Sequence, residues 1–213
     1  MIRQTTLLQG IEQAHCASLR NRMDAAGCVF EFVLLAPEAE TRVDEALHRQ
    51  ALQQLHEHLM HGQLEWHRAL IQNPEYAHRP PPSMTWEQHR AQATPLAAEQ
   101  VQRLLRVEEA PQEPLELYHG FRRPPYGTRF KGGEEEARAL FHEWCNLLGL
   151  EAAEGVQVIN WVDGFVLDWQ DGDDNPPWSD YFASGLEWWG IWCMTVWNPR
   201  RRTLSALVAS ATD

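Results

Sequence analysis

His56, His58 and His61, in the run HEHLMH, are the first residues whose type and spacing could bind a metal. A zinc-protease helix needs histidines four apart with a glutamate after the first, so that both imidazoles leave one face together. Four positions after His56 stands Met60, so the motif fails. His58 and His61 share a helix face, but no third ligand lies at a known spacing, and they are expected to be exposed helix histidines. Asp171, Asp173 and Asn175 alternate as the oxygen donors of a calcium loop do. The sixth position of such a loop should be glycine and is Pro176, and the twelfth should be glutamate and is Phe182, which excludes an EF-hand. Ser179, Ser184, Ser205 and Ser210 stand in no nucleophile elbow, and no glycine-rich phosphate loop follows a strand. Nothing singles out two carboxylates for acid–base work. The expectation is therefore a protein that is not an enzyme, with no catalytic residue, no metal site and no cofactor. Two alternatives stand beside it. One is a metal-assisted hydrolase using Asp171, Asp173, Asp174 and nearby histidines, and the other is a non-catalytic adaptor.

The chemistry that the sequence does offer is recognition. Seven of the ten tryptophans lie between Trp161 and Trp197. No Lys or Arg occurs between Arg138 and Arg200, while ten Asp and Glu do. Aromatic anchors ringed by charge are what binding hot spots are made of. The candidate partner-binding residues are Asp168, Asp171, Asp173, Asp174 and Asp180, with Trp178 and Tyr181 as anchors. In the run Ile191–Trp197, Trp192, Met194 and Val196 would face one way, and Ile191, Cys193, Thr195 and Trp197 the other. One face must be core; the other needs a helix or a partner to cover it.

The whole chain has 213 residues and a formal net charge of −12. That length buries a core without staples. The charge argues against direct nucleic-acid contact and against an anionic membrane, and favours a basic protein partner. Cys16, Cys28, Cys145 and Cys193 form no C-x-x-C pair, and read as scattered reduced thiols. The N-terminus lacks the apolar run of a signal peptide and no stretch reaches a membrane span, so the expected location is the cytoplasm.

The elements that must position these residues suggest a single α+β domain over 1–213. A mostly helical part covers 1–110, an exposed loop 111–133, and a helix with an antiparallel sheet of about four strands 134–213. Residues 1–26 read as mildly helical, with Gly27 as the stop. Cys28–Ala36 reads as a strand that could join the sheet. Val43, Leu47, Ala51, Leu55 and Leu59 make residues 38–72 one long helix. Thr85 could cap a short helix and Thr94 begin another. Four prolines and four glycines make 111–133 a loop, with Arg122, Arg123, Arg129 and Lys131 a basic island within it. Glu134–Glu136 open a helix that Gly149 ends. Val156–Val162 and Phe165–Trp169 flank Asp163-Gly164, a hairpin signal, and Ile191–Trp197 and Thr203–Ser210 read as two further strands.

Pro177–Phe182, Glu187–Gly190, Thr195–Pro199 and the Ala-Ser-Ala-Thr-Asp ending resemble the tail of bacterial immunity proteins. Those are encoded beside secreted toxins of polymorphic or type VI secretion systems. The likeness covers about the last forty residues. It implies a cytoplasmic protein that binds one cognate toxin and blocks it. Immunity proteins share no catalytic motif, so the resemblance carries over no functional residues. An acidic surface suits a basic toxin such as a nuclease, whose substrate groove is built to meet phosphate.

Overall fold

The computed structural model of the protein describes residues 7–11, 14–108, 117–163, 177–183, 185 and 189–211. Among these the strands are β1 (Leu8–Gly10), β2 (Glu31–Pro37), β3 (Thr94–Pro95), β4 (Gln157–Asn160), β5 (Gly190–Asn198) and β6 (Thr203–Ala211). The helices are α1 (Ala14–Ala26), α2 (Glu45–Leu70), α3 (Ala98–Leu104), α4 (Leu117–Arg122) and α5 (Gly133–Leu148). The fold is α+β. The strands form one antiparallel sheet in the order β1-β2-β6-β5-β4-β3.

The central pair β5–β6 is apolar on both faces, so each face must be covered. Trp192, Met194, Val196, Leu207 and Ala209 share one face with Phe32, Leu34 and Val158, under α1, α3, α4 and α5. Cys193, Trp197, Leu204, Ala206 and Val208 share the other with Leu35 and Ile159, under α2 and the segments around Trp86 and Trp178. The alternation expected along Ile191–Trp197 is the one found, and no partner is needed to cover the second face.

Local chemistry sets the ends. Asp44 caps α2, its Oδ1 accepting from Leu47 N at 3.1 Å, which satisfies a donor that the helix cannot pair. Gly149 ends α5 at φ +72°, a left-handed conformation that favours glycine. The β5–β6 turn is built by the fully buried Asn198. Its Oδ1 accepts from Arg200 N and Arg201 N, while its Nδ2 donates to Gly149 O and Glu151 Oε1. Ser205 Oγ donates to Leu148 O at 2.8 Å, so the end of α5 is tied to the hairpin twice.

Several expectations are corrected. The sheet has six strands rather than about four, because β1, β2 and β3 join it from the N-terminal half. The first 26 residues contain β1 before α1. The long helix starts at Glu45, not at 38, since Asp44 supplies the cap. No helix starts at Thr85; Trp86 bridges Ser179 instead, and Thr94–Pro95 is β3. The described part of the expected exposed loop 111–133 holds α4. Leu117, Tyr118, Phe121 and Phe130 there are buried among Phe141 and Trp144, because burial of aromatic area outweighs the loop-like composition. β4 has β5 on one edge and β3 on the other. The second arm of the expected hairpin, Phe165–Trp169, lies outside the described residues.

Candidate protein-interaction site

The described candidate residues Trp178 and Tyr181 lie on the α2 side of the sheet, with Trp86 beside them. Trp86 is held at the surface of this layer by four ring contacts, one of them Phe182 at 6.3 Å. Its ring stacks on His56 at 5.2 Å, meets Trp178 edge-on at 4.8 Å and lies 6.3 Å from Tyr181. Backbone bonds fix the same corner: Glu87 N donates to Trp178 O, and Thr85 N donates to Asp180 Oδ1 at 3.0 Å. Arg49 ties the segment to α2. Its Nη2 donates to Ala91 O at 3.0 Å, its Nη1 donates to Gln88 O, and its guanidinium lies 4.9 Å over the Trp161 ring. Glu45 holds Arg49 from behind, accepting from Nε and Nη2.

Among the expected site residues, Asp180 is exposed and Tyr181 is half-buried. Burial pushes the Tyr181 phenol pKa up, with Glu31 adding to the effect. Trp178 is 3 % exposed, and its Nε1 donates to Trp161 O at 2.9 Å. It was expected as a docking anchor; packed against Trp86 and Phe182, it offers no contact surface and belongs to the core. Asp168, Asp171, Asp173 and Asp174 lie outside the described residues. Their neighbours in sequence do not: exposed Asp163 precedes the stretch, and the Trp178–Trp161 bond holds its two flanks together. The stretch 164–176 carries four Asp and no Lys or Arg. The large exposed aromatics of the described residues are elsewhere, Trp66 near the end of α2 and Tyr126 beside the basic island.

The histidines divide differently from expectation. His56 is half-buried against Trp86, and burial lowers its pKa although Glu57 and Asp180 pull the other way. His58 Nε2 sits 3.3 Å from Glu31 Oε2, and His61 is exposed beside Glu65. The sequence reading passed over His48, the most buried of the described histidines at 1 % exposure. Its Nδ1 is 2.7 Å from Thr195 Oγ1, which also accepts from Trp161 Nε1 at 2.8 Å. Trp161 can only donate to this hydroxyl, while the direction of the His48–Thr195 bond follows the imidazole tautomer. Burial pulls the His48 pKa down to about 4, against the weaker opposing pull of Asp44 and Glu45. This trio is a core linkage between α2, β5 and the end of β4. Burial also raises the pKa of Cys28, Cys145 and Cys193, and all four thiols are buried and unbridged. Among the described residues no group of three or more His, Cys, Asp or Glu is placed to hold a metal ion. No helix of the described residues is long and apolar enough to cross a membrane.

The residues that sequence reasoning missed here are Trp86 and Arg49. Trp86 stands alone in a polar, proline-rich stretch, and only its contacts reveal it. Searches against family models, curated proteins and solved structures find no match to this chain.

Proposed function

We propose that this chain is an immunity-type inhibitor: a cytoplasmic, non-catalytic protein that binds a basic toxin such as a nuclease and blocks it. What supports the reading is the acidic run of the sequence together with the described residues on either side of it. Its flanks meet at the Trp161–Trp178 bond, beside exposed Asp163 and Asp180, on a corner stiffened by Trp86, Tyr181 and Arg49. Negative charge presented from a rigid corner raises the association rate with a basic partner and disfavours acidic ones. A stiff corner also loses little ordering entropy on docking. The binding surface is thus Asp168, Asp171, Asp173, Asp174 and Asp180 with Tyr181, and Trp178 supports it from within.

The test is genetic and biochemical together. Each neighbouring reading frame is expressed with and without this chain. The expected result is one product that arrests growth, is rescued by co-expression and forms a stoichiometric complex with the purified protein. Absence of any toxic neighbour, or toxicity without rescue, overturns the proposal. Calorimetry with magnesium and manganese then addresses the hydrolase alternative, which requires measurable metal binding.

A further inference from the structure

One loop reverses the charge of this protein. The whole chain carries −12, yet Arg123, Arg129 and Lys131 all lie exposed on the single stretch 123–132. Arginines elsewhere are paired, Arg22 with Glu143 and Arg90 with Glu87 among them. Among the described residues no carboxylate pairs with Arg123, Arg129 or Lys131. The glutamates nearest in sequence are engaged elsewhere. Glu134 accepts from Tyr118 and Arg122, Glu136 accepts from Gly132 N at 2.6 Å, and Glu135 sits in the first turn of α5, against the helix dipole.

The loop is built to hold its shape. Phe121 and Phe130, at its two ends, are buried and stack at 5.7 Å. That contact brings Arg123 to the same part of the surface as Arg129 and Lys131, which flank Phe130 and are exposed where it is buried. Pro124 and Pro125 are buried, Thr128 Oγ1 donates to Pro125 O at 2.9 Å, and Trp189 Nε1 donates to Arg123 O at 2.7 Å. Gly27, at the end of α1, packs so close that a Cβ there would lie 2.3 Å from the Thr128 hydroxyl. Between Pro125 and Gly127, Tyr126 is 66 % exposed and has φ +63°. Left-handed backbone is unusual for so bulky a residue, and an exposed ring recovers little of its cost by burial. Strain of that kind collects at binding and switch sites.

We infer that this loop docks an acidic segment of a partner protein. The carboxylates of the segment meet Arg123, Arg129 and Lys131, and an apolar or aromatic side chain lies on the Tyr126 ring. The kind of partner follows from the charge. Guanidinium groups take carboxylates through paired, charge-assisted hydrogen bonds. A nucleic acid carries its charge along its whole length and would have to pass the acidic remainder of the chain, whose repulsion reaches about 8 Å at physiological salt. A short acidic segment meets the loop alone. Because the loop is already pinned, little ordering entropy is lost on docking. Phe121 and Phe130 place the loop on the α1–α5 side of the sheet, opposite Trp178 and Tyr181, so the inference does not depend on the toxin reading.

The probe is the blocked peptide Glu-Glu-Trp-Glu-Glu, titrated to millimolar concentration into the isotope-labelled full chain and followed by NMR of backbone amides and arginine side chains. The expected result is saturable binding at low salt that shifts the Arg123 and Arg129 side-chain signals and the Gly127 amide, and that weakens about fivefold or more at high salt. Arg129→Gln with Lys131→Gln should weaken binding about fivefold or more, as charge-assisted contacts are lost. Tyr126→Gly should weaken it about threefold or more as the ring contact is lost. The same variant should keep or raise the melting temperature, because glycine suits the left-handed backbone. No saturable binding, equal binding of Lys-Lys-Trp-Lys-Lys, or an affinity that these substitutions leave unchanged overturns the inference. A Tyr126→Gly variant that loses stability and binds as wild type makes the ring structural, and also overturns it. Tighter binding of a short oligothymidylate would assign the loop to nucleic acid, and shifts that grow with protein concentration in the absence of peptide would assign it to a second copy of the chain; either result overturns the inference.

Discussion

Acidification should loosen this fold through one buried imidazole. His48 is neutral inside the protein because burial pulls its pKa from 6.5 to about 4. In the unfolded chain it regains the ordinary value. Between those two values the unfolded state binds the extra proton, so stability falls as the pH falls. The contribution is fully present above about pH 6.5 and lost progressively down to about pH 4. Each unit of difference is worth about 1.4 kcal/mol, so the full loss approaches about 3 kcal/mol, with about 2 kcal/mol gone by pH 5. Carboxylates add their own slope, so the measurement is a difference. Urea unfolding of wild type and His48→Gln is compared at pH 7 and pH 5. The variant is less stable at pH 7, having lost the contact with Thr195, but the gap should narrow by about 2 kcal/mol at pH 5. A gap that stays constant within about 0.5 kcal/mol, inside the extrapolation error of the method, refutes the assignment of His48 as the buried neutral group.

Three further outcomes follow from contacts in the core. A Cβ on Gly120 would lie 2.6 Å from the Trp192 ring, so Gly120→Ala should cost roughly 1–3 kcal/mol. Adding Trp192→Leu should cost less than the sum of the two single variants in urea unfolding. Asn198→Leu leaves Gly149 O and the turn amides without partners and should cost about 3 kcal/mol. Trp178→Ala should lower stability by about 3–5 kcal/mol, as removal of a core tryptophan does; an unchanged melting temperature would return Trp178 to the surface.

Much of the architecture was legible because strong local patterns agreed with tertiary burial. β5 is a β-branched and aromatic run and β6 an apolar one around a single turn, and α5 repeats Ala137, Leu140, Phe141, Trp144 and Leu148 before its glycine stop. β3 was not legible, since two residues carry no period. Neither was α4: six residues between prolines look like a loop, and only Phe121 stacking on Trp144 at 5.3 Å explains its helix. The start of α2 was misplaced because apolar periodicity marks a face, while a single side chain, Asp44, marks the end. At the candidate site, sequence gave the sign of the charge. It could not say which tryptophans are inside, because residue type is the same for an anchor and for a core ring. Only its contacts show that Trp178 is a core ring, and only its contacts bring Trp86 into view. His48 was missed for a related reason: the search for metal ligands looks for grouped histidines, and a lone one on an apolar helix face reads as packing.

The central claim is that the acidic corner draws in and holds a basic toxin. Its most direct test is stopped-flow association of the purified chain with the toxic neighbour identified by rescue, at low and high salt. Wild type is compared with the Asp171→Asn, Asp173→Asn, Asp174→Asn triple variant, and circular dichroism confirms the fold. The account predicts association slowed about tenfold or more at low salt, with the difference shrinking as salt screens the field. Association rates unchanged by the triple substitution at both salt concentrations would contradict it.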